Sequence, residues 1–147
     1  MNIVALCLLV AFLWGIAPIL EKMSLSDASS FTVLTIRSIA TTVVLIALTV
    51  ITGKQQEVMA VDGKTFLLIL AGGFFGILGL FIYFVALKQD LATRVVPLVN
   101  IFPLFTALNA VIILNERLTT QRTAGIVLVV AGVVLINWGQ FTAGHAD

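Results

Sequence analysis

The chain has 147 residues, of which 61% are hydrophobic and only 10% charged, with a mean hydropathy of +1.18. A soluble domain carries about 25% charged residues because its surface must hold water, so this composition calls for lipid around the chain. A net charge of +1 gives no reason to expect a nucleic-acid partner, and the single cysteine, Cys7, excludes an intrachain disulfide.

Uncharged runs set the spans. Residues 1–20 carry no side-chain charge, and Glu21-Lys22 close that run. Between Asp27 and Lys54 the only charge is Arg37, and residues 65–87, 95–115 and 123–144 contain no Asp, Glu, Lys or Arg. Each run can cross a hydrocarbon core of about 30 Å as a helix, and none alternates as a membrane-barrel strand would. The chain therefore reads as an all-α integral membrane protein of five transmembrane helices, at about 2–21, 29–52, 65–87, 94–115 and 121–140, with a short tail over 141–147. Asp27, Thr93 and Thr119-Thr120 stand where helix starts are expected. MNIVALCLLV lacks the basic flank of a secretory signal, so the first run is expected to be a retained helix.

In the first span, Trp14 lies mid-run and could line a cavity or pack in the core. Glu21 closes the run and reads as an interfacial charge. In the second span Arg37 lies about 12 Å from the start. A charge at that depth costs roughly 3 kcal/mol and asks for a partner or a water cavity. It could attract an anionic group on a substrate, or it could pair with Glu21 near the same membrane face.

Helix three carries Gly72 and Gly76 as a GxxxG pair and Tyr83 toward its end, a cavity or core residue like Trp14. Helix four carries Pro97, Asn100 and Pro103. Each proline removes a backbone donor and frees a carbonyl one turn back, a helix-breaking or gating feature in a membrane. Asn100 beside Pro97 could touch substrate or make an interhelical hydrogen bond. On helix five, Gly125, Gly132 and Gly139 recur every seven residues and leave a groove for close helix packing or a dimer contact. His145 near the end is too little for a metal site, and the tail reads as disordered.

If the N-terminus is cytoplasmic, Lys54, Lys64, Arg117 and Arg122 face the cytoplasm, against Lys22, Lys88 and Arg94 with Arg37 as a possible fourth. That near balance barely selects an orientation, and insertion in both orientations is an open alternative.

The Trp14-Gly15 and Ile36-Arg37 pairs lead into a long signature. It comprises Gly76 and Gly79, Tyr83-Phe84-Val85-Ala86-Leu87-Lys88, Pro103 with Phe105-Thr106-Ala107, Glu116-Arg117-Leu118-Thr119, Gly125 and Ala131-Gly132-Val133. Together these resemble the EamA-type repeat of the drug/metabolite transporter superfamily over residues 5–138. Asn115 departs from the glycine that the family commonly places before Glu-Arg-Leu. Typical members carry two such repeats, ten helices in all, whereas this chain carries one.

The resemblance implies half of a ten-helix inverted-repeat architecture, completed by a second five-helix unit. Two five-helix units in tandem insert with opposite orientations, so an inverted second copy could reproduce the arrangement. The implied function is secondary transport of a small polar metabolite or drug by alternating access, across the cytoplasmic membrane of a prokaryote, as an antiparallel homodimer. The alternatives are a non-transporting subunit assembled with an oppositely oriented partner, and a flippase for a lipid-linked substrate. The small multidrug resistance proteins, distant relatives, depend on an acid deep in their first helix; none stands there in this chain, which argues against a proton-coupled cation exporter. The partners expected are lipid, a second five-helix unit and a small molecule. HExxH, GxSxG and P-loop signatures are absent, so the expectation is a non-enzyme without cofactor or metal.

Overall fold

The computed structural model describes the backbone of residues 2–143 and the side chains of residues 2–139. The expected disorder of the tail and His145 lie outside the described residues. Among the described residues every regular element is helical. Five apolar stretches are long enough to span a membrane: Ile3–Asp27, Ser30–Ile51, Gly63–Gln89, Ala92–Leu114 and Thr120–Gly139. The chain divides into two compact units, residues 1–89 and 90–147.

In the first unit, α1 (Ile3–Asp27), α2 (Ser30–Ile51) and α4 (Gly63–Gln89) pack against one another, and a short α3 (Gln55–Met59) lies in the connection between α2 and α4. The start of α1 is fixed by Asn2, whose side chain accepts from the Val4 amide at 3.2 Å. Asp27 does not start a helix. It is the last residue of α1, and Ser29 caps α2 by accepting from the Thr32 amide at 3.1 Å. At α4 the cap is Asp62, whose carboxylate accepts from the Lys64 and Thr65 amides at 3.0 and 3.1 Å. These amides are among the four that a helix leaves unpaired at its start. The Thr65 hydrogen bonds hold the Asp62 carboxyl below the usual carboxylate range.

Most of the large apolar side chains of these helices face outward, including Phe12, Ile39 and Phe75, and the buried set is small: Leu25, Leu34, Phe84 and Leu87 from this unit. An apolar exterior is stable only in lipid.

In the second unit, α5 (Ala92–Val99), α6 (Phe102–Leu114) and α7 (Thr120–Ala143) are arranged so that α7 packs on both α5 and α6. The expected fourth helix is broken at residues 100–101. Pro103 cannot donate to the carbonyl one turn back, so α5 stops before it and α6 restarts with the proline in its first turn, where a missing amide costs nothing. The start of α5 is Leu91 rather than Thr93, and it has no side-chain cap. Thr119 caps α7, accepting from the Arg122 amide at 3.3 Å.

Asn115 ends α6 in the left-handed conformation, φ 53° and ψ 32°. It thereby performs the turn that a glycine would make, since asparagine tolerates this region better than other residues with a side chain. The Glu116 amide closes the turn onto the Ala110 carbonyl at 3.1 Å.

Candidate functional site

Three side chains meet inside the first unit because their helices place them at one depth. Glu21 lies six residues before the end of α1, Arg37 seven residues into α2, and Tyr83 six residues before the end of α4. At 1.5 Å per residue each is about 9–10 Å from the same end of the unit.

The Arg37 guanidinium meets the Glu21 carboxylate at 3.0 Å. The same guanidinium carbon stands 5.7 Å from the centroid of the Phe84 ring, within cation–π range. The Tyr83 hydroxyl of α4 lies close enough to the Glu21 carboxylate to interact with it electrostatically, and its ring leans on Phe84 at 5.7 Å between centroids. The pair is unevenly covered: the side chain of Glu21 is 13% exposed and that of Arg37 44%. The carboxylate is thus enclosed by its partners, while the guanidinium presents part of its fork outward.

Two lysines border the cluster. The Lys22 ammonium donates to the carbonyl oxygens of Leu87 and Lys88 at 2.6 and 3.4 Å, at the end of α4. Lys88 donates in turn to the carbonyl of Ala28 at 2.8 Å, at the end of α1. Helix C-termini carry partial negative charge, so each ammonium sits where it is favoured.

Of the residues singled out in the sequence, the structure brings Arg37 and Tyr83 together, through Glu21 and Phe84. Trp14 is not in the core. It is 69% exposed, seven residues before Glu21 and therefore on nearly the same face of α1, about 10 Å deeper. Asn100 ends α5 and returns its amide nitrogen to the Val96 carbonyl at 2.9 Å, a local bond and not an interhelical one. Pro97 lies within α5.

A groove of about 460 Å³ in the second unit gathers Pro103, Thr106, Gly125 and Val129, with Glu116 and Arg122 among its lining residues. A Cβ added at Gly72, Gly76, Gly125, Gly132 or Gly139 would meet no atom within 4 Å. Among the described residues, these glycines therefore mediate no close helix approach within their own units.

Two features escaped the sequence reading. Pro18 is buried inside α1, one turn before Glu21, and removes the donor that would have reached the Trp14 carbonyl. Asn137 in α7 is 3% exposed; its Nδ2 donates to the Val133 carbonyl at 2.9 Å while its Oδ1 accepts from no group among the described residues. An amide within an uncharged, apolar run was the available signal for it. Among the described residues no cluster of His, Cys, Asp and Glu could hold a metal ion.

Five membrane-length apolar helices define a multi-pass membrane protein, and three of them bring an ion pair and a tyrosine together near one end of the first unit. The EamA-like transporter family model matches residues 1–138, and the chain belongs to that family. It is 26% identical over 134 residues to an uncharacterized protein of Methanocaldococcus jannaschii, covering 91% of this chain and 95% of that relative. It is 27% identical over 129 residues to an uncharacterized transporter encoded in the cobO 3′ region of a Sinorhizobium species, covering 88% and 92%. No solved structure matches the chain significantly.

Proposed function

We propose that the chain is a secondary transporter that moves a small polar metabolite or drug by alternating access, as an antiparallel homodimer, in the cytoplasmic membrane of a prokaryote. The observation that carries this reading is the Glu21–Arg37 pair on membrane-spanning helices. An ionisable pair at depth is costly and marks a polar path through the bilayer. Arg37 and Tyr83 are the substrate contacts of the first unit, with Trp14 on the same face of α1 as Glu21; Asn100 is the corresponding contact in the second unit. The helix interruption between Pro97 and Pro103 supplies a hinge for gating.

The homodimer reading draws on three supports. Five spans make an inverted copy the natural complement of each unit. The flanking positive charges are nearly balanced between the two faces. Gly72 and Gly76, and Gly125, Gly132 and Gly139, leave open surface that a second helix can approach.

A two-sided topology reporter fused after Asp147 tests the assembly. Comparable signal from both membrane faces is the expected result, and signal from one face only would exclude the antiparallel homodimer. Transport is tested by uptake of a small-metabolite panel into proteoliposomes, with Arg37→Ala expected to abolish it while assembly persists. Equal loss of transport and assembly would assign Arg37 to structure alone.

A further inference from the structure

We propose that Glu21 is an internal stand-in for a substrate carboxylate, so that a small organic acid anion takes its place on Arg37 and brings one proton with it. This inference rests on the transporter reading and names the substrate class and coupling of the same site.

The geometry provides both halves of the exchange. Arg37 is held by Glu21 through one contact at 3.0 Å, and the guanidinium is 44% exposed. A guanidinium carries five donors in a fixed fork that matches a carboxylate. A carboxylate arriving at the exposed side therefore finds donors that complete the pairing Glu21 only begins. The Phe84 face at 5.7 Å keeps the cation in place when Glu21 lets go.

Charge balance makes the proton obligatory. The resting pair, Glu21 carboxylate and Arg37 guanidinium, is neutral. An added anion with Glu21 still ionised would leave one net negative charge beside a carboxylate that is only 13% exposed. Taking one proton from water onto Glu21 restores neutrality: protonated Glu21, Arg37 cation, substrate anion. Release runs in reverse, with the proton leaving as Glu21 re-forms its pair.

Among the described residues, the other charged groups packed around the pair are engaged elsewhere. From α1, Lys22 is turned to the Leu87 and Lys88 carbonyls; from α2 the cation is Arg37 itself; from α4 come the Tyr83 hydroxyl and the Phe84 ring, while Lys88 reaches the Ala28 carbonyl. The Tyr83 hydroxyl interacts with the Glu21 carboxylate, and it can donate to the ionised acid or accept from the neutral one. Anion and proton move together, so transport of a monoanion is electroneutral, and affinity for the anion rises as pH falls.

Tyr83 is the only tyrosine in the chain, so its vibrational signature reports this site without a label. The full chain in nanodiscs, weakly buffered with a pH indicator, is titrated with acetate and benzoate, and with acetamide and benzamide as neutral counterparts. Expected are a saturable change in the Tyr83 Raman doublet with both carboxylates, uptake of about one proton per bound anion, and no response to the amides. Arg37→Gln should abolish the response and Arg37→Lys should retain it at weaker affinity, which separates loss of the site from loss of the fold. Glu21→Gln, which removes the competitor, should bind benzoate about tenfold more tightly, without proton uptake and without pH dependence.

The proposal is overturned if neither carboxylate perturbs Tyr83, if binding takes up no proton, or if Arg37→Gln responds as the parent does. Proteoliposomes that move no carboxylate despite an intact Tyr83 response would defeat the transporter reading alone. Carboxylate movement without a Tyr83 or proton response would defeat the exchange alone.

Discussion

Lys22 and Lys88 cap each other's helices: the α1 lysine donates to carbonyls at the end of α4, and the α4 lysine donates to the Ala28 carbonyl at the end of α1. Two antiparallel helices would leave their C-terminal carbonyls unpaired at opposite ends of a bundle. Here α1 and α4 run parallel, so their ends lie side by side and a reciprocal clasp is possible. Each bond joins a charged donor to a carbonyl at the negative pole of a helix, for about 0.5–1 kcal/mol. Lys22→Met and Lys88→Met should each lower stability by about that amount in denaturant titrations in micelles. The double variant should lose close to the sum, because each lysine serves a different helix end; a loss equal to either single change would show the two bonds to be one cooperative unit.

Removing Arg37 should cost more than removing both members of its pair. Arg37→Met leaves the enclosed Glu21 carboxylate without its cation, and about 1–2 kcal/mol is expected, discounted because the guanidinium is 44% exposed. Glu21→Gln together with Arg37→Met should recover most of that loss. The check is a double-mutant cycle by reversible denaturation in one detergent. Absence of coupling would mean that the pair contributes no energy to the fold.

Asn115 holds a left-handed conformation that a glycine adopts without strain. Asn115→Gly should therefore be neutral or stabilising by up to about 0.5 kcal/mol, and Asn115→Val should cost about 1–2 kcal/mol. Thermal unfolding of the two variants beside the parent separates them, and equal melting temperatures would show that the α6–α7 turn tolerates another conformation.

The five spans could be read from the sequence because each is set by an uncharged run bounded by charges, a property of segments and not of contacts. The Glu21–Arg37 pair was also within reach, since a short connection places the end of α1 beside the start of α2 and both residues lie near that end. Tyr83 as the third member was not. Its place depends on the rotation of α4 about its axis, and a helix that is apolar on every side does not encode that rotation. The reciprocal lysine bonds were hidden for the same reason. The break at residues 100–101 was only half visible: Pro97 and Pro103 announced a disturbed helix, but a proline can sit inside a helix, as Pro97 and Pro18 do. Asp27 was misplaced as a cap because the apolar run ends at Leu20, whereas α1 continues through the polar Glu21–Asp27 stretch.

Asp62 links the first turn of α4 to pH. Its carboxyl is held below the usual range by the Thr65 hydrogen bonds, so its ionised form is favoured when folded. The capping contribution is present above the unfolded aspartate value of about 3.9 and is lost as pH falls through the lowered folded value. Amide exchange at Lys64 and Thr65, the two groups it caps, should accelerate relative to mid-α4 amides on acidification below pH of about 4. Asp62→Ala should show that faster exchange at neutral pH, with no further change on acidification. Unchanged protection in the variant would show that solvent serves these amides as well as the carboxylate does.

Asn137 presents the opposite case, a buried amide that stability alone does not explain. Its Nδ2 donates to a carbonyl of its own helix and its Oδ1 accepts from no group among the described residues, though the residue is 3% exposed. An unsatisfied buried acceptor costs about 1–3 kcal/mol, and the Nδ2 bond goes to a helix carbonyl, which can accept from the backbone as well. Asn137→Leu, which keeps the branched four-atom side-chain skeleton, should therefore stabilise the chain by about 1 kcal/mol in denaturant titrations of the micelle-bound protein. Asn137→Ala should not gain as much, because the space left behind forfeits packing. A Leu variant that is less stable than the parent would mean that Oδ1 acquires a donor in the membrane, from water or from a second copy of the chain. A self-association assay then separates the two sources: a second copy would couple the substitution to lost self-association, and a bridging water would leave self-association intact.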